Sequence, residues 1–149
     1  MSISESSRRQ VEERAGCRCE YCQMPDILIY APMEIDHIRP KVDGGVDDVS
    51  NLALACPACN NAKHAQLTAI DPTTSGVVAL YNPRQEHWLD HFKIAVDGYI
   101  FGTTSTGRAT VLALKFKFNE PRRVQFRQLM VRFGKYPPAD FLTDNPTHE

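Results

Sequence analysis

Apolar residues along this chain come in short clusters broken by polar and turn-forming stretches. Residues 4–15 read as a short, mostly polar helix, with serines available as N-caps and Gly16 as its stop. Residues 27–30 and 34–38, rich in Ile and aromatic side chains, predict two strands that pair around Ala31-Pro32. Gly44-Gly45 marks a tight turn, and residues 57–66 read as a helix with Pro57 in its first turn. Further on, 77–80 predicts a short strand and 85–91 a helical turn. Residues 92–96 and 99–101 flank Asp97-Gly98, a hairpin signal. Two helices follow, over 107–118 and 121–133. In the second, Val124, Leu129, Met130 and Phe133 recur at roughly helical spacing with basic residues between them.

Composition narrows the class. The chain has 149 residues, about one domain's worth, with 42% apolar residues and a net charge of −1. That is too apolar and too neutral for a disordered protein. The apolar run Ile27 to Met33 is interrupted by Pro32, and no run in the chain approaches the roughly 20 residues a spanning helix needs, so no membrane partner is expected. The polar start shows no secretory signal, which points to a cytoplasmic setting and disfavours disulfides. The organisation expected is 1–70 as a core, 71–136 as an α+β extension and 137–149 as a tail. Asp71-Pro72-Thr73-Thr74-Ser75-Gly76 reads as the connector between the first two.

Charge is not evenly spread. Between Arg108 and Lys135 lie eight basic residues and a single acid, Glu120. Arg122, Arg123 and Arg127 in that window are candidates to track a phosphate backbone, although a solvated amphipathic helix accounts for the pattern almost as well. Trp88 reads as core rather than as a base-stacking platform. His87 and His91 lack an acidic or Cys partner of suitable spacing and read as structural.

All five cysteines fall in the first 59 residues. Cys19-Glu20-Tyr21-Cys22 and Cys56-Pro57-Ala58-Cys59 are two C-x-x-C pairs, each able to wrap its backbone round one ion. Together they supply the tetrahedral four-thiolate shell that structural Zn2+ prefers. Such a closed shell leaves no position for a reacting water. Cys17 reads as a spare thiol.

Between the pairs lie Glu34-Ile35-Asp36-His37-Ile38-Arg39-Pro40, Gly44-Gly45 and Ser50-Asn51-Leu52, and the second pair runs on into Asn60, Lys63 and His64. His37 can accept a proton near neutral pH. Asp36 is an oxygen ligand suited to Mg2+ or Mn2+. Asn60 and His64, four apart, share a helix face. One difficulty is stereochemical: neighbouring side chains on a strand point to opposite faces, so Asp36 and His37 serve one site only if it wraps round the strand's end. Arg39 and Lys63 are candidates for phosphate contact, each with a bland reading as a surface side chain. Glu34 reads as orienting a neighbour or facing solvent.

This order of parts resembles the HNH endonuclease family, or ββα-metal fold: a Cys pair, a D-H-I-x-P strand, a Gly-Gly turn, an N-L and a second Cys pair followed by Asn or His. It spans Cys19 to His64, about a third of the chain. The resemblance implies an α+β fold: a ββα-metal core braced by a four-cysteine zinc site, followed here by a hairpin-plus-helices extension. It implies His37 as general base, Asn51 as a brace for the loop between strands and helix, and Asp36 and Asn60 as ligands of a catalytic divalent cation. His64 matches a position that contacts metal or phosphate in some members. The activity implied is hydrolysis of phosphodiester bonds in DNA, with RNA left open, by a monomer or a homodimer. The alternative is a non-catalytic, zinc-containing nucleic-acid-binding module, and a third reading is a zinc-stabilised protein-interaction domain.

Overall fold

The computed structural model describes residues 3–25, 32–114, 119–134 and 142–143. The strand expected over 27–30 and the tail beyond 136, apart from 142–143, lie outside them. The chain forms two units, Met1–Leu67 with Asn82–Gln85, and Thr68–Tyr81 with Glu86–Glu149.

The first unit begins with α1 (Glu5–Ala15). Ser4 Oγ accepts from Ser7 N at 3.1 Å, and Gly16 closes the other end in the left-handed region at φ 63°. Only Val11 is buried on this helix, so apolar packing holds little of it. Two arginines fasten it instead: Arg8 Nη2 donates to Met33 O at 2.6 Å and Arg14 Nη2 to Leu52 O at 2.8 Å.

Strand β1 (Glu34–His37) pairs antiparallel with β2 (Leu52–Ala55), Glu34 facing Ala55 and His37 facing Leu52. Among the described residues this is the partner of β1, a strand the sequence reading did not expect. The second strand is Leu-Ala-Leu-Ala, buried at every position, and such a strand has no alternation to read. Helix α2 (Pro57–Lys63) follows at once, with Cys56 as N-cap and Pro57 at its first position; it stops at His64 rather than reaching 66. The result is a β-β-α unit.

The β1–β2 connection contains 3-10 turns at Lys41–Asp43 and Val49–Asn51. Gly45 is required there, because a Cβ would stand 1.7 Å from the Arg39 carbonyl oxygen. Asn51 ties the connection together: its Oδ1 accepts from Arg39 N at 2.9 Å, and its Nδ2 donates to Arg39 O at 3.0 Å and Val46 O at 2.9 Å.

The second unit opens with an antiparallel hairpin, β3 (Thr68–Ile70) and β4 (Val77–Ala79). The turn-rich segment 71–76 is the tip of that hairpin, not a connector between domains. Asp71 organises the tip, its oxygens accepting from Thr73 N and Thr74 Oγ1, each at 3.0 Å. Strands β5 (Phe92–Ala95) and β6 (Ile100–Gly102) form the expected hairpin over Asp97-Gly98, and β7 (Leu142–Thr143) runs parallel to β5. Helix α3 (Ser105–Ala113) is capped by Thr104, and Gly107 sits so close to His91 that a Cβ would lie 2.0 Å from its carbonyl oxygen. Trp88 is core, its ring 4.9 Å from that of Phe92. His91 is structural as expected, bridging Thr104 Oγ1 (2.6 Å) and Glu86 (2.9 Å). Helix α4 (Pro121–Arg132) ends the described part of this unit's helices. No helix among the described residues is long and apolar enough to cross a membrane.

Candidate functional site

Cys19, Cys22, Cys56 and Cys59 are fully buried, and their sulfurs lie within 4.8 Å of one another. Cys22 and Cys56 Sγ are 3.9 Å apart. Tetrahedral zinc with Zn–S bonds near 2.3 Å places its sulfurs about 3.8 Å apart, so the cluster fits structural Zn2+. Backbone N–H groups already point at it: Cys22 N lies 3.5 Å from Cys19 Sγ and Cys59 N 3.4 Å from Cys56 Sγ. Burial pushes the Cys19 thiol well above its usual range, and hydrogen bonding among the crowded sulfurs does the same to Cys59 while lowering Cys22. Four thiolates in one dry pocket need a cation to compensate them. Cys17 is exposed and outside the cluster.

The first Cys pair is anchored to the β-β-α unit through Glu20. Its backbone N donates to Leu54 O at 2.8 Å, and its carboxylate accepts from Leu54 N at 2.8 Å and pairs with the Arg84 guanidinium. Arg84 returns from far along the chain within Asn82–Gln85. Nothing local in the sequence signals that pairing.

The two faces of β1 carry different chemistry. On one, Asp36 is 4% exposed. Tyr21 OH donates to its Oδ2 at 2.6 Å, and Lys63 Nζ lies 3.1 Å from the same oxygen. Lys63 also donates to Ile38 O at 3.2 Å. Burial raises the Asp36 carboxyl above its ordinary range, against the opposing pull of Lys63 and Tyr21. The expectation for Lys63 is corrected here: it is buried against Asp36, so it does not present its charge to phosphate at the surface. Asp36, expected as a cation ligand, has its oxygens engaged by an ammonium and a hydroxyl.

On the same side of β1, Glu34 Oε1 accepts from Asn60 Nδ2 at 2.8 Å. Glu34, Asn60 and His64 line an open cleft of about 580 Å³ with Pro57, Ala58 and Asn61. The structure therefore brings Asn60 and His64 to one opening, and Asp36 is not part of its lining. A carboxylate, an amide oxygen and an imidazole are suitable donors for a divalent cation.

His37 lies on the other face. Its Nε2 is 2.8 Å from Asp47 Oδ1, and Lys41 Nζ is 3.1 Å from the same oxygen. Hydrogen bonding to His37, then to Lys41, holds Asp47 below the usual carboxylate range. In the tautomer with the proton on Nε2, His37 donates to Asp47 Oδ1 and Nδ1 is left as an acceptor. Sequence reading passed over Asp47: it sits ten residues on, and the turn that returns it to His37 depends on Gly44, Gly45 and Asn51. Arg39 is exposed beside this face.

Residues 19–66 match the HNH endonuclease family. No curated protein and no solved structure matches the chain. The matched segment holds both Cys pairs, the β-β-α unit and the Asp36, His37, Asn51, Asn60 and His64 positions. The HNH match points to a nuclease or other nucleic-acid-related function.

Outside the HNH segment, the basic candidates divide. Arg122 is exposed and Arg123 half-buried. Arg127 is fully buried, donating from Nε to Gly98 O at 2.6 Å and from Nη2 to Asn119 Oδ1 at 3.2 Å. It braces the turn at Gly98 and is not placed to touch a phosphate.

Proposed function

We propose that this protein is a metal-dependent HNH endonuclease that hydrolyses phosphodiester bonds in DNA. The observation that carries the reading is His37, partly exposed at the end of β1 with its Nε2 2.8 Å from Asp47 Oδ1; with Nε2 donating, Nδ1 is the nitrogen that accepts a proton in this proposal. His37 takes a proton from the water that attacks phosphorus in line. Asn51 holds the connection that carries Asp47 and Arg39, and exposed Arg39 docks a flanking phosphate. Asn60 and His64 would hold Mg2+ or Mn2+, which would supply charge neutralisation at the phosphate and the departing oxygen. Asp36 joins them only by exchanging Lys63 for the ion. The four-cysteine zinc site serves as scaffold. Incubating the protein with supercoiled plasmid, with and without Mg2+ or Mn2+, tests the reading, and metal-dependent nicking supports it.

One observation favours a second reading, a non-catalytic zinc-containing nucleic-acid-binding module. The engagement of Asp36 by Tyr21 and Lys63 is what a retained scaffold would show. Retarded plasmid migration without nicking under any divalent cation supports that reading instead.

A further inference from the structure

Helix α4 is inside out. Its sequence is PRRVQFRQLMVR, with Val124 4% exposed and Arg127 buried against the unit. At about 100° per residue, Arg122, Phe126, Leu129 and Phe133 fall on one stripe facing the opposite way. Phe126 is 42% exposed, Leu129 45% and Phe133, the residue that caps the helix, 65%. A guanidinium is buried while two phenyl rings face solvent, the reverse of the amphipathic expectation. Arg127 is fixed inward by Gly98 and Asn119, so rotating the helix to hide the rings would break both bonds.

We infer that this stripe is a stacking platform for single-stranded nucleic acid. The phenyl rings take base faces, and Arg122 with Arg132 takes the phosphates. Charge selects the occupant. Arg122 and Arg132 are exposed on the helix, which carries no acid, so a polyanion is matched to it and a second copy would bring like charge against like. Phe126 and Phe133 are seven residues apart, roughly 10 Å along the axis, the rise of about three stacked bases. A duplex offers no free base face to the rings, whereas a single strand offers one at every nucleotide. This surface is independent of the hydrolytic reading and requires neither His37 nor a catalytic cation.

Fluorescence anisotropy of the full chain carrying His37→Ala, in divalent-free buffer, tests the platform with a labelled oligothymidylate and a duplex of equal length. Single strand is expected to bind about tenfold or more tighter than duplex. Phe126→Ala and Phe133→Ala should each weaken it by about tenfold with the salt slope unchanged, while Arg122→Ala flattens the slope by about 0.7. Both rings are exposed, so near-parental thermal transitions should accompany these losses. Equal affinity for duplex, or phenylalanine variants that bind like the parent, overturns the inference. So does a dimer in light scattering that either phenylalanine substitution dissociates, which would assign the stripe to a second copy. Loss of cleavage in His37→Ala with binding intact leaves the platform standing, and loss of platform binding leaves the hydrolytic reading to its own test.

Discussion

His37 Nε2 and Asp47 Oδ1 stand 2.8 Å apart across a connection that Asn51 ties down with three hydrogen bonds. In the proposed hydrolysis the carboxylate would orient the ring through Nε2 and stabilise an imidazolium formed at Nδ1. Asp47→Asn keeps the shape and removes the charge. Plasmid nicking should fall by about tenfold or more, with plasmid binding and the thermal transition near the parent's. Unchanged nicking would reduce Asp47 to a loop residue.

Lys63 and Asp36 are buried together, 2% and 4% exposed. Removing one partner strands the other's charge. Lys63→Met should cost about 3 kcal/mol in urea denaturation, and Asp36→Asn combined with it should recover a large part of that loss. Additive effects would show that the two do not act as a pair.

Zinc should leave with the fold of the first unit. Native mass spectrometry is expected to find one zinc ion per chain, and Cys56→Ser or a strong chelator should lower the thermal transition sharply. Folded, metal-free protein of parental stability would contradict the scaffold role.

In the second unit, Arg108 makes a bidentate pair with buried Asp71, Nε and Nη2 each 2.9 Å from an oxygen. Arg108 holds the Asp71 carboxyl far below the usual carboxylate range. The folded state therefore binds this proton less readily than the unfolded chain. The stabilisation is complete above the ordinary carboxylate pKa of about 3.9 and fades as pH falls below it. Trp88, the chain's single tryptophan, lies in the core of this unit and reports its unfolding. Asp71→Asn should lower stability at neutral pH and flatten its dependence on acid. A parental acid profile in that variant would remove Asp71 from the linkage.

What the sequence revealed was local. Serine and Gly16 bracket α1, Asp97-Gly98 makes the β5–β6 turn, and paired cysteines converge on one pocket because each pair needs only its own short loop. What it concealed depends on distant partners. The β2 strand is buried on both sides and carries no alternation, so only its first residue stood out, as part of Asn51-Leu52. Asp47 and Arg84 acquire their roles through returning chain, and spacing says nothing about that. Arginine composition marked Arg122 and Arg127 alike, although one faces solvent and the other replaces an apolar core residue. The stereochemical difficulty of adjacent Asp36 and His37 was visible from strand geometry, and the structure places them on opposite faces.

The most direct test of the account is plasmid cleavage by the intact protein beside His37→Ala at equal zinc content, with Mg2+ or Mn2+ supplied. Metal-dependent nicking is expected of the parent and a loss of at least about 100-fold in the variant, with plasmid binding and thermal stability retained. Equal nicking by both proteins, or none by the zinc-loaded parent under either cation, would contradict it.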